Sequence, residues 1–156
     1  MDNRTIAIGR GYRTNDEAIR QIKEITKDIV DEVIVVPLPH DKGKDECLHL
    51  MSIISLIDDD LAVVYSRLMP IFFRQLLIER GIKLIEVNEK EYENLGCNVL
   101  TLSPRNCVMV EGNKQVKEQL EKHGVTVYTY KGNEISYKGT GGPTCLTAPV
   151  MRKNNK

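Results

Sequence analysis

The sequence predicts an α/β fold built from a repeated ββαβ unit, and three observations carry that prediction. A strand-like apolar run, a polar joint, an amphipathic helix and a second apolar run recur three times within 156 residues. Gly81 and Gly124 both sit between a helix and the strand that follows it, as copies of one unit require. Further apolar runs, Leu48 to Ile57 and Asn98 to Leu102, precede the second and third copies. Such a unit cannot cover its own apolar faces, so copies must pack beside one another in a ring or a shared sheet.

The first copy runs from Ile6-Ala7-Ile8 through a helix near residues 15–28 to Val33-Ile34-Val35-Val36. Thr14 with Glu17 reads as a capping box for that helix, and Ala18, Ile22, Ile25 and Ile29 form one apolar stripe along it. A strand from Leu48 to Ile57 comes next, where alternation places Cys47, His49 and Met51 on one face. Asp58-Asp59-Asp60 reads as a solvated hairpin turn. In the second copy, Leu61 to Tyr65 leads to a helix from about Pro70 and then to Lys83-Leu84-Ile85-Glu86-Val87. Phe73, Leu76 and Leu77 share one face of this helix, with Pro70 in its first turn. The third copy begins at Cys107-Val108-Met109-Val110 and ends in Val125-Thr126-Val127-Tyr128. Its helix, at about 113–123, takes Asn113 as N-cap and sets Val116 and Leu120 on one face. No linker interrupts the chain, so residues 1–156 read as a single domain.

Composition excludes several function classes. The 22 basic and 22 acidic side chains cancel, so the Lys/Arg excess that neutralises phosphates is missing and no nucleic acid is expected as partner. No apolar run approaches the ~18 residues of a membrane span. The start, Met-Asp-Asn-Arg, carries no secretory h-region, and a cytoplasmic protein is expected. Four cysteines without that signal are expected as reduced thiols. None forms a CxxC pair, so no structural zinc is expected, Asp58-Asp59-Asp60 lacks a His or spaced fourth ligand for another metal, and no cofactor is expected.

Chemistry-bearing residues concentrate in three segments. Lys138-Gly139-Thr140-Gly141-Gly142-Pro143-Thr144-Cys145 sets three glycines just ahead of a cysteine, a backbone on which a ligand can approach a thiol closely. On its own this motif fits a nucleophilic Cys145 and a buried cysteine behind a flexible turn equally well. His49 has the side chain best matched to proton transfer near neutral pH, and beside Cys145 it supplies acid–base chemistry. By itself, a histidine inside a strand is more often a core residue. Arg13 lies in the joint Gly9-Arg10-Gly11-Tyr12-Arg13-Thr14-Asn15, where it, Arg10 and a helix N-terminus can receive an anion. The joint has neither the GxGxxG spacing nor the Walker lysine of phosphate loops. Cys47, Cys97 and Cys107 read as packing residues, and His40 and His123 carry no functional signal.

Together these segments resemble the guanidino-group-modifying superfamily, which includes arginine deiminase, dimethylarginine dimethylaminohydrolase and the amidinotransferases. Gly141 to Val150 looks like the family's C-terminal nucleophile motif, and Leu48-His49-Leu50-Met51-Ser52 like its catalytic-histidine strand. Arg13-Thr14-Asn15 looks like the segment whose arginine holds a substrate carboxylate. Asn98-Val99-Leu100-Thr101-Leu102 and Val110-Glu111-Gly112-Asn113 match the family's last repeat.

The resemblance implies a pentein fold, a pseudo-symmetric α/β propeller of five ββαβ units, three of which are read here. It implies a Cys-dependent hydrolase of a guanidino or amidine substrate, such as arginine or a methylated arginine, acting through a covalent thiouronium intermediate. Cys145 is then the nucleophile, His49 the acid and base, Arg13 the carboxylate anchor, and Asn98 a further substrate-binding residue. The alternatives are an amidinotransferase and a catalytically silent pentein-fold binding or assembly module. Family enzymes also hold the guanidinium with a carboxylate from a Gly-Gly-Asp-type segment ahead of the strand matching Ile6-Ala7-Ile8. Arginine deiminases have Asp where this chain has Met51 and Arg where it has Thr140. The chain therefore reads as the C-terminal three-fifths of such an enzyme. Its expected partners are a small guanidino molecule and a homo-oligomer, or another partner, covering the open repeat edges.

Overall fold

Strand pairing follows the predicted cycles. The computed structural model describes residues 4–150, which form three separate sheets. In the first, β1 (Thr5–Arg10) leads through α1 (Asp16–Thr26) to a parallel β2 (Glu32–Pro37). A short α2 (Leu50–Ile53) runs into β3 (Ile54–Asp58), which pairs antiparallel with β4 (Leu61–Val64). From β4 the chain passes through α3 (Ile71–Glu79) to a parallel β5 (Lys83–Glu86). After α4 (Glu89–Glu93), the third sheet repeats that order: β6 (Leu100–Ser103), antiparallel β7 (Asn106–Val110), α5 (Lys114–Lys122) and parallel β8 (Thr126–Tyr130).

The second and third sheets match in local detail as well as in order. Both hairpins shift register at the same place, between Leu56 and Asp58 and between Thr101 and Ser103. Helices α3 and α5 both end at a glycine with positive φ, 75° at Gly81 and 74° at Gly124. In each case the next amide donates back five residues, Ile82 N to Leu77 O at 3.0 Å and Val125 N to Leu120 O at 3.1 Å. This Schellman closure needs the left-handed conformation that glycine adopts without strain.

The core lies between sheets rather than within them. Strand β4 is buried on both faces, which explains its unbroken apolar run. Ala62 and Val64 join Ile34 and Val36 of β2 with Phe73 and Leu77 of α3. Leu61 and Val63 join Ile85, Cys107 and Met109 with Val116 and Leu120 of α5. Each of these helices thus packs towards the preceding sheet. Polar stitches close the second junction. Ser55 Oγ donates to Cys97 O at 2.7 Å and accepts from Val99 N at 3.1 Å. Arg105 holds both Asp58 and Asp60 in the β3–β4 turn, which is therefore tied to the β6–β7 turn and not merely solvated.

Four expectations need correction. Asn15, not Thr14, caps α1, accepting from Ala18 N at 2.9 Å, while Glu17 turns outward to Arg20. Residues 48–53 are not strand, because Ser52 Oγ takes the His49 N–H at 3.0 Å and closes the α2 turn instead. Asn113 stands at the α5 N-cap, but its amide donates to Val110 O and Asn94 O rather than capping the helix. The α1 stripe exists but faces solvent: Ile19 is buried, whereas Ile25 and Ile29 are 71% and 61% exposed. No helix among the described residues is long and apolar enough to cross a membrane.

Candidate active site

The joint after β1 is a tight reverse turn, with Gly11 N donating to Thr14 O at 3.1 Å and Thr14 N to Gly11 O at 3.3 Å. It carries Tyr12 and Arg13 at its tip, immediately before the capped start of α1. Of the two arginines there, Arg10 is committed to Asp16 through two bonds of 2.5 and 2.8 Å. That pair holds the Arg10 guanidinium above its ordinary pKa and the Asp16 carboxyl below its own. Arg13 makes no hydrogen bond or ion pair with any described residue, so its guanidinium is available for an anion.

Facing this turn is the segment that follows β2. A pocket of about 190 Å³ opens between them, lined by Gly11, Arg13 and Thr14 on one side and Leu38, Leu48 and His49 on the other. His49 is the N-cap residue of α2 and is exposed. Its Nε2 lies 3.1 Å from Cys47 Sγ. Cys47 is therefore not a packing residue. The Cys47-x-His49 spacing was the available signal, since alternation already placed the two residues on one face.

Cys145 sits in a second constructed turn. A π-helical turn at Asn133–Tyr137 precedes it, and Cys145 N donates to Gly142 O at 3.0 Å. The thiol is exposed. Asn98, only 8% exposed, donates from Nδ2 to Cys145 Sγ at 3.1 Å and accepts from Thr144 N at Oδ1, 3.0 Å. One buried amide thus fixes both the thiol and the backbone that presents it. Gly142 is needed for this approach, since a Cβ there would lie 2.5 Å from the Asn98 amide. Thr144 Oγ1 is buried beside these groups without a hydrogen-bond partner among the described residues.

The other two thiols differ in kind. Cys97 and Cys107 are buried, and burial pushes both thiols up, Cys107 to about 11. The structure thus brings Arg13 and His49 to one pocket, and Asn98 and Cys145 to one hydrogen bond. No hydrogen bond joins the two pairs among the described residues. No three His, Cys, Asp or Glu side chains gather to hold a metal ion among those residues.

A family model described as arginine deiminase matches residues 71–152, a stretch containing both Asn98 and Cys145. The chain belongs to the arginine deiminase family. Within the wider guanidino-group-modifying superfamily, its relatives extend the match to the N-terminal residues. YkgA of Bacillus subtilis strain 168 is 31% identical over 152 residues, covering 97% of this chain and 50% of that protein. The arginine deiminase of Limosilactobacillus reuteri strain DSM 20016 is 23% identical, over all of this chain and 46% of its own length. The chain spans about half the length of the curated relatives it matches. Solved structures agree in fold. The N-terminal domain of ArgZ, an arginine dihydrolase from cyanobacteria, superposes with a TM-score of 0.78 at 23% identity, covering 96% of this chain and 52% of that one. SxtG, an amidinotransferase from Microseira wollei, gives 0.77 at 14% identity, over 99% and 46% of the two chains. The mixed α/β architecture is thus that of pentein-fold proteins.

Proposed function

We propose that this arginine deiminase family chain carries the nucleophile, acid–base and carboxylate-binding groups of a hydrolase acting on a guanidino or amidine compound. Cys145 sulfur bonds to the central carbon, and the C–N bond to the departing amine breaks as His49 delivers a proton to that nitrogen. His49 then takes a proton from water, whose oxygen adds to the thiouronium carbon, and the C–S bond breaks to release a ureido product and the thiol. Arg13 binds the substrate carboxylate, and Asn98 holds the sulfur. What carries this reading is the Asn98 amide, which donates to an exposed thiol while bracing the Gly-rich turn that presents it.

On this reading residues 1–156 form one cytoplasmic, guanidino-group-modifying domain, equivalent to three units of a five-unit propeller. A carboxylate for the guanidinium comes from further chain or another subunit. Treatment with a haloacetamidine is expected to label Cys145 well before Cys97, and Cys145→Ser and His49→Ala to abolish turnover. Equal, slow labelling of all four thiols overturns the reading.

One observation favours a second reading, an assembly module. Among the described residues the first sheet has two strands where the other two have three, and the isoleucine stripe of α1 is exposed. A stable oligomer by light scattering, with no thermal shift from guanidino ligands, is its expected signature.

A further inference from the structure

The segment from Leu38 to His49 joins β2 to α2 without regular structure. Both of its ends are pinned, by Leu38 N to Arg10 O at 2.8 Å and by His49 N to Ser52 Oγ at 3.0 Å. Between them its hydrogen bonds are mostly internal: Gly43 N to His40 O at 2.8 Å, Glu46 N to Gly43 O at 3.3 Å, and Lys42 N to Glu46 Oε2 at 3.3 Å. Gly43 has a φ of 107°, a turn conformation that glycine permits and that folds the segment back beside His40. Apart from the contact of Cys47 with His49 at the α2 N-cap, one hydrogen bond among the described residues ties residues 39–48 to another part of the fold. It runs between Tyr12 Oη and His40 Nδ1, 2.7 Å apart, with the two rings edge to face at 5.8 Å.

Neither ring lines the pocket, but the bond joins the two segments that do. Tyr12 and Arg13 are neighbours at the tip of one closed turn, so whatever fixes Tyr12 fixes the Arg13 backbone. His40 lies in the segment whose far end presents His49 to the same pocket. Both rings are exposed, Tyr12 by 61%, and an exposed hydrogen bond adds little to folding. We propose that Tyr12 and His40 form a positioning pair that sets the span from Arg13 to His49, and thereby the chain length of guanidino acid that the pocket accepts. The proposal rests on the reading in which Arg13 and His49 serve one substrate. A carboxylate held at Arg13 places the guanidinium at a distance fixed by the intervening methylenes, so a tied span selects one length and a loosened span accepts several.

Two measurements on the 156-residue chain test this. Hydrogen–deuterium exchange reads the tie without substrate. Tyr12→Phe, which keeps the ring and loses the hydroxyl, and His40→Ala are each expected to speed exchange at least threefold in both 11–14 and 38–49. His40→Asn, whose amide reaches where Nδ1 lies, is expected to restore most of the protection. The second measurement is the ratio of kcat/KM values for ω-guanidino carboxylic acids differing by one methylene. Tyr12→Phe is expected to flatten that ratio about tenfold, through KM more than kcat. Unchanged exchange at 38–49 in Tyr12→Phe overturns the proposal whatever the activity. Faster exchange with an unchanged length ratio overturns the specificity role. A wild-type chain that neither binds nor turns over any guanidino acid overturns the proposed function instead, and the exchange result still decides whether the pair ties the two segments.

Discussion

Cys145 owes its direction to Asn98, and the two ends of that amide do different work. Its Nδ2–H supplies partial positive charge beside sulfur at 3.1 Å, and its Oδ1 satisfies the Thr144 N–H. Asn98→Ala removes both and leaves a backbone donor without its acceptor. Alkylation of Cys145 is expected to slow about tenfold relative to exposed Cys47, an effect of about 1.4 kcal/mol, in the range of one intramolecular hydrogen bond. Mass spectrometry of timed iodoacetamide labelling gives both rates in one sample, and an unchanged ratio removes Asn98 from the support of the Cys145 thiol. The Gly-rich tract ahead of Cys145 was legible in the sequence because three glycines in four positions need a reason. The resemblance offered Asn98 as a substrate-binding residue, and its hydrogen bond to Cys145 was not legible. Contact across 47 residues leaves no local pattern, and Asn98 looks like any residue ahead of a strand.

Helix α5 shows how elements depend on one another beyond their own sequence. Its N-terminal amides are not capped by Asn113. The buried carboxylate of Glu91 in α4 accepts from Gln115 N at 2.7 Å and Val116 N at 3.0 Å. A carboxylate there also meets the positive end of the helix dipole. Glu91→Ala strands two N–H groups in a closed junction and is expected to destabilise the chain by about 2–4 kcal/mol, read as a fall in the denaturant midpoint with little change in slope. Asn88→Ala removes the cap of the short α4 together with the bond from Asn88 Nδ2 to Gln115 Oε1 at 2.7 Å, and is expected to cost about 1–2 kcal/mol. The strand–helix–strand order and the two Schellman glycines could be read from sequence, since both have periodicities or residue requirements of their own. Helix α4 and the α2 turn could not. Cys47 to Ser52 alternates as a strand does, and only the Ser52 hydroxyl, competing for the His49 N–H, turns it into a helix start.

At the scale of the molecule, the cores between sheets have two consequences. Buried Cys97 and Cys107 lie in the junction of the second and third sheets, and burial raises both thiols. An unfolded thiol ionises near about pH 8.5, so the folded chain keeps protons that the unfolded chain gives up. This contribution to stability is whole below pH ~8.5 and is lost as pH rises towards the folded value, about 11 for Cys107. Urea midpoints are expected to fall from pH 8 to 10.5, and Cys97→Ala with Cys107→Ala to flatten that slope while lowering stability at pH 7. The second consequence concerns α1, whose isoleucine stripe no described residue covers. Phe73 of α3 is 1% exposed against β2, whereas Ile25 of α1 is 71% exposed. Phe73→Ala is expected to cost about 3–5 kcal/mol and Ile25→Lys less than about 0.5 kcal/mol in the isolated chain. If a further unit or a second copy covers α1, that asymmetry disappears on assembly: Ile25→Lys then weakens association by at least tenfold, measured by sedimentation, without changing the monomer's unfolding midpoint. Equal loss of monomer stability from the two substitutions contradicts an unpartnered α1, because only a stripe already packed in the isolated chain can lose that much on acquiring a charge.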